Sequence, residues 1–285
     1  MSRYLAPLSL AEALAAKAAG ARVVAGGTDL MISLRHARLS GHDRPEVILD
    51  VTRLPELNRL DLTADRPFLG AAITFHRLET DPEVAARYPL LAQAASMVGS
   101  VQVRQTGTIG GNAANGSPAA DGVSAITALG AVALVASPAG RREAPIGELI
   151  TAPNRTSLAP DELILGFFLD RLPAGMGQAF SKVGRRQAVA IARLNLAAAV
   201  SADQAEARVS LGACFPSPRR LTAVEELVKS GVPGPDLWRE AGRLAASTFT
   251  TVCGWRSSAV YKVEAITRVT ARTLATAWAV AGGAA

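Results

Sequence analysis

A chain of 285 residues, 49% of them hydrophobic, is long enough to bury a large core in one large domain or two. Its net charge of +6 is carried by arginines in scattered pairs (Arg141 with Arg142, Arg185 with Arg186), and only 5% of residues are aromatic, so it lacks the basic run and stacking platforms of a nucleic-acid binder. Cys214 and Cys253, the only cysteines, indicate neither a disulfide framework nor a zinc site and are too few for an iron–sulfur cluster held by this chain alone.

The opening "MSRYLAPLSLAEALAAK" is broken by Pro7, Glu12 and Lys17, and no apolar run approaches a membrane span; the expected setting is a reducing cytoplasm. Ser9 and Glu12 stand in capping-box spacing ahead of a helix that stops at Gly20. "ARVVA" reads as a strand, a glycine pair follows in "VVAGGTDL", and a helix resumes from Asp29; "EVILDV" is the next strand. Beyond residue 55 come a strand over 68–74, a helix around "YPLLAQAASMVG", and the glycine-rich "TGTIGGNAANGSPAAD" read as a loop. A helix from Asp121 to Leu129 and the strands "AVALVAS", "ELILGFFLD" and "GQAFSKV" complete this part. The last third reads as an antiparallel pair, "RLNLAAAVSA" and "ARVSLGACF", followed by helices near 219–230, 236–250 and 258–280. The fold class is α+β with mixed sheets.

Neither glycine segment is a phosphate-binding P-loop, and neither has the G-x-G-x-x-G spacing of a Rossmann site. What they offer is backbone N–H groups without bulky neighbours, with Thr28, Thr108, Asn112, Asn115, Ser117 and Asp121 as polar side chains. Each alone reads more readily as an ordinary tight turn, and Asp121 equally as a helix N-cap. Two such segments, each ahead of a predicted helix, favour a diphosphate ligand. His36, His42 and His76 lack ligand spacing and read as surface or packing residues.

"VVAGGTDL" followed by "RQTGTIGGNAANGSPAAD" resembles the FAD-binding medium subunit of molybdenum hydroxylases, the family of xanthine dehydrogenase, carbon monoxide dehydrogenase and N-heterocycle dehydrogenases. "FSKVGRRQAVAIARLNLAAAV", "LGACFPSPRR" and "WRSSAVYKVEAITRVTARTL" extend the resemblance over essentially the whole chain. It implies a two-subdomain FAD-binding fold of the vanillyl-alcohol-oxidase/PCMH type, divided at 1–55 and 56–177, with a C-terminal domain of antiparallel sheet plus helices over 178–285. It also implies FAD-binding roles for Val23, Val24, Ala25, Gly26, Gly27, Thr28, Asp29 and Leu30 around the pyrophosphate, and for Gly110, Gly111 and Asn112 opposite them. Thr108 and Asn115 would assist, Asp121 would hold a ribose or ribityl hydroxyl, and Lys182 and Leu165 would lie near the flavin ring. Thr28 stands where covalent flavoproteins carry histidine, so binding is expected to be noncovalent. The chain departs from the family at Ala190, where an acidic residue is common, and in "GVSAITAL" after Asp121, where prolines are usual.

The resemblance implies partners as well: a large subunit that hydroxylates substrate at a molybdopterin centre, and a small one with two-iron two-sulfur clusters, in a heterotrimer or a dimer of heterotrimers. This chain would pass electrons from the clusters through FAD to NAD, a quinone, oxygen or another acceptor, with no acid–base catalyst or metal ligand of its own. "AGGTDL" resembles the xanthine and aromatic-heterocycle branches more than the carbon monoxide branch. The alternative is a self-sufficient FAD-dependent oxidoreductase that binds its own substrate.

Overall fold

The structure, a computed structural model, describes residues 2–40, 45–255 and 259–282; His42 lies outside them. Strands β1 (Arg3–Leu5), β2 (Arg22–Val24) and β3 (Val47–Asp50) form a parallel sheet in the order β1-β3-β2. Parallel neighbours need crossover connections, and the helices Leu10–Ala18 and Leu30–Leu39 provide them. The Ser9 side chain caps the first of these by accepting from the Glu12 N–H at 3.3 Å.

The next seven strands are β4 (Leu60–Asp61), β5 (Phe68–Gly70), β6 (Val132–Ser137), β7 (Gly140–Pro145), β8 (Ile150–Ala152), β9 (Arg155–Thr156) and β10 (Leu163–Phe168). Five of them make an antiparallel sheet in the order β4-β5-β10-β6-β7, and β8 with β9 forms a separate hairpin. Two expectations are corrected here. The strand expected over 68–74 stops at Gly70, because residues 71–75 bond instead to the second glycine segment, with Gly110 N–H donating to the Ala71 carbonyl and Phe75 N–H to that of Gly107. That segment is not wholly loop: Ile109–Asn115 is a helix, capped at its start by the Thr108 hydroxyl and closed by Gly116 at φ +62°. Its glycines cost helix propensity, which the cap and the bonds to residues 71 and 73 offset.

β11 (Gly177–Val183), β12 (Leu194–Val200), β13 (Ala207–Gly212) and β14 (Arg219–Arg220) form an antiparallel meander. Helices Thr222–Ser230, Pro235–Cys253 and Ala259–Val280 follow it. Every residue of β12 is buried, and its alternation divides two cores. Leu194, Leu196, Ala198 and Val200 pack with Trp238 and Phe249 of the C-terminal helices, whereas Ala197 and Ala199 join the core of the preceding elements. Asn195 shares their face and is the one polar residue of the strand. Among the described residues no helix is long and apolar enough to cross a membrane.

Candidate functional site

The two glycine segments meet, and they meet as backbone. Gly26 lies so close to the start of the second segment that a Cβ built on it would stand 2.0 Å from the Thr106 carbonyl oxygen and 2.7 Å from Gly107 Cα. From the other side, the Thr28 methyl lies 3.7 Å from a Cβ built on Gly107. Only glycine permits this approach.

Their hydrogen bonding differs. In the first segment, the N–H groups of Gly26, Gly27, Thr28 and Asp29 find no acceptor among the described residues, and Gly27 takes the left-handed φ of +70°. Asp29 does not cap the following helix with its side chain, which leaves the helix start open. Successive unbonded N–H groups around a left-handed residue form a concavity of positive potential suited to a phosphate. Val23 and Val24 lead into it from β2, Ala25 and Leu30 flank it half-buried, and the Asp29 side chain points to solvent.

In the second segment the amides are already used. Gly110 N–H donates to Ala71 O at 2.9 Å, Gly111 N–H to Thr108 Oγ1 at 3.1 Å and Asn112 N–H to Thr108 O at 3.0 Å. All three amides of Gly110, Gly111 and Asn112 thus have protein acceptors, unlike those of the first segment. Gly110 is a packing glycine, with a built Cβ 2.5 Å from that of Ala71, and Thr108 is a helix cap. Gly111 is different, because a Cβ there meets nothing within 4 Å except Thr108 Oγ1 at 3.0 Å and its open side faces space that a ligand can fill. Beside it, Asn112 Oδ1 is buried with no donor, an acceptor awaiting a partner. Asn115 is half-buried at the end of the same helix.

Asp121 and Lys182, 61 residues apart, are brought together at the start of helix Asp121–Ala128. Lys182 Nζ donates to Asp121 Oδ2 at 2.5 Å and to the Met97 carbonyl at 2.8 Å. Asn195 Nδ2 donates to Asp121 Oδ1 at 2.7 Å, and Ser124 Oγ donates to Asn195 Oδ1 at 2.7 Å. Burial pushes the Asp121 carboxyl above its ordinary range, and the Lys182 ammonium and the Asn195 amide pull against that. As an anchor for Lys182, Asp121 has both oxygens engaged. Leu165 is only 2% exposed, sits at the bulge in β10 and packs in the core of the first two sheets.

A cleft of about 910 Å³ opens beside Lys182, between residues 96–104 and the loop 183–190. Arg104, Arg185 and Arg186 also line it, and among the described residues no carboxylate does. Arg186 folds the loop by donating from Nε to the Ala188 and Val189 carbonyls. The sequence reading did not single out Asn195, Ser124 or this cleft; the lone asparagine in "RLNLAAAV" was the available signal. His36 is exposed and His76 half-buried.

Residues 1–171 match the FAD binding domain in molybdopterin dehydrogenase, and residues 178–277 match the CO dehydrogenase flavoprotein C-terminal domain. The chain belongs to this family. It is 30% identical over 268 residues to the xanthine dehydrogenase FAD-binding subunit of Escherichia coli O157:H7, covering 92% of this chain and 90% of that protein. Its fold superposes on carbon monoxide dehydrogenase from Hydrogenophaga pseudoflava with a TM-score of 0.88 at 27% identity, covering 98% of both chains. Quinoline 2-oxidoreductase from Pseudomonas putida 86 gives 0.87 at 26% identity, covering 99% of this chain and 98% of the other. The residues present fit FAD: amides at Gly26–Asp29 with no acceptor among the described residues, in a concavity suited to a phosphate, open space at Gly111, a buried acceptor without a donor at Asn112 and a cationic cleft.

Proposed function

We propose that this chain holds FAD noncovalently across the contact of its two glycine segments and serves as the electron-carrying medium subunit of a molybdenum hydroxylase. The observation that carries this reading is the run of amides from Gly26 to Asp29 that find no acceptor among the described residues, on a segment whose Gly26 packs against Thr106 and Gly107 at the start of the second. Bound FAD supplies one- and two-electron chemistry. The chain's own residues bind and orient it: the first segment takes the pyrophosphate, Thr28 adds a hydroxyl, Asn112 accepts a hydroxyl hydrogen, and Lys182 presents a cation to the ring. Val23, Val24, Ala25 and Leu30 shape the approach, while Thr108, Gly110 and Asn115 support the helix that carries Gly111 and Asn112.

Partner subunits complete the reaction, a large one with molybdopterin that hydroxylates the substrate and a small one with two-iron two-sulfur clusters that delivers electrons here, in the cytoplasm and as a dimer of heterotrimers. Relatives named for xanthine and quinoline support a purine or aromatic N-heterocycle as the substrate of the complex. The test is a visible spectrum of the purified chain, followed by denaturation and chromatography of what it releases. About one intact FAD per chain is the expected result. A colourless chain that also takes up no added FAD overturns the reading, and rapid flavin bleaching by an organic substrate without partners replaces it with a self-sufficient oxidoreductase.

A further inference from the structure

The register of the C-terminal sheet sets Lys182 of β11 opposite Asn195 of β12, and Asn195 opposite Gly212 of β13. The row faces helix Asp121–Ala128, whose residues Asp121 and Ser124, three apart, share one side of a helix turn. The carboxylate receives Lys182 on one oxygen and Asn195 on the other, and Ser124 holds the amide oxygen of Asn195. Gly212 is what makes room, since a Cβ there would stand 2.1 Å from Ser124 Oγ and 2.2 Å from Asn195 Oδ1. Asn195 and Ser124 are wholly buried, so each group of this relay has its orientation dictated by a partner.

An ammonium has three N–H donors. Two of those on Lys182 are taken by Asp121 and the Met97 carbonyl; the third finds no acceptor among the described residues, and Lys182 lines the cleft. We infer that Asn195 and Ser124 are positioning residues that act through Asp121 to hold the Lys182 ammonium at the cleft with one donor left for the ligand. The inference rests on the cleft being the flavin site.

The test uses the full chain. Lysines occur only at 17, 182, 229 and 262, so labelling by an amine-selective reagent, read at each lysine by peptide mass spectrometry, carries three internal controls. In the flavin-free protein, Asn195→Leu, and the milder Ser124→Ala, should speed labelling of Lys182 by about tenfold while the other three keep their rates, tenfold being the equivalent of ~1.4 kcal/mol. Unchanged labelling of Lys182 in both variants overturns the inference, whether or not the chain binds FAD. With FAD, a double-mutant cycle adds a readout that a merely structural role would not move. Asn195→Leu and Lys182→Met should each weaken FAD binding about tenfold, and the double variant should be no weaker than Lys182→Met alone; factors that multiply mean that Asn195 does not act through Lys182. Wild-type chain that takes up no FAD defeats the functional reading, and the labelling result then decides the relay by itself.

Discussion

Gly26 lies against the Thr106 carbonyl, where a Cβ would stand 2.0 Å from the oxygen, whereas a Cβ on Gly111 would meet only the Thr108 hydroxyl at 3.0 Å. The first glycine holds the two segments together, and the second leaves space between them and a ligand. Gly26→Ala is therefore expected to lower folding stability, by ~1–3 kcal/mol as overpacking usually does, and to lose FAD with it. Gly111→Val is expected to keep the melting temperature within a few degrees and still lose FAD. Thermal denaturation with flavin quantified on the same samples checks both; a Gly111→Val chain that stays fully loaded removes Gly111 from the site.

The Lys182–Asp121 pair is buried on both sides, with side-chain exposures of 9% and 6%. Removing one partner of such a pair leaves the other charge without compensation, which typically costs ~3–5 kcal/mol. Lys182→Met is expected to destabilise the flavin-free chain by that order, and Asp121→Asn added to it should restore part of the loss, because no lone carboxylate remains. Urea denaturation of the single and double variants measures this. Equal stability of Lys182→Met and wild type would show the pair to be solvated.

Much of this arrangement is legible in the sequence, and what is not has a physical cause. The strands 177–183 and 194–200 and the strand–glycine–helix passage through Gly26 and Gly27 follow from local pattern. The helix Ile109–Asn115 does not, because two glycines argue against it and the bonds that stabilise it come from residues 71 and 73. The spacing of Asp121 and Ser124 was visible, but their partners lie 61 and 71 residues away and are supplied by sheet register. Local pattern likewise marks glycines without telling a packing one (Gly110) from an open one (Gly111), since the distinction depends on Ala71.

Glu162 accepts from Arg142 through both oxygens, at 2.6 and 2.7 Å, and from the Ala159 N–H at 2.8 Å. The Arg142 bond, with help from the amide and against partial desolvation, holds its carboxyl below the ordinary value of 4.5. A depressed carboxyl contributes stability above its unfolded value and loses it as pH falls through the folded one. The difference in melting temperature between wild type and Glu162→Gln should thus stay constant from pH 7 to about 5 and shrink below the unfolded value of 4.5. A difference that persists unchanged to pH 3 would assign the effect to packing.

Cys214 is 7% exposed, and burial pushes its thiol up to about 12, with Lys262 pulling the other way. Because the nucleophile is the thiolate, only about one molecule in ten thousand carries it at pH 8, and the buried position further restricts access. Iodoacetamide at pH 8 should leave Cys214 unmodified in the folded chain over hours and modify it within minutes in guanidinium chloride. Raising the pH toward 10 should increase the folded-state rate about tenfold per unit while the chain remains folded, since the thiolate fraction rises by that factor. A Cys214 that reacts equally fast in the folded and unfolded states would mean that the turn after β13, which carries it, opens freely and does not seal the C-terminal core.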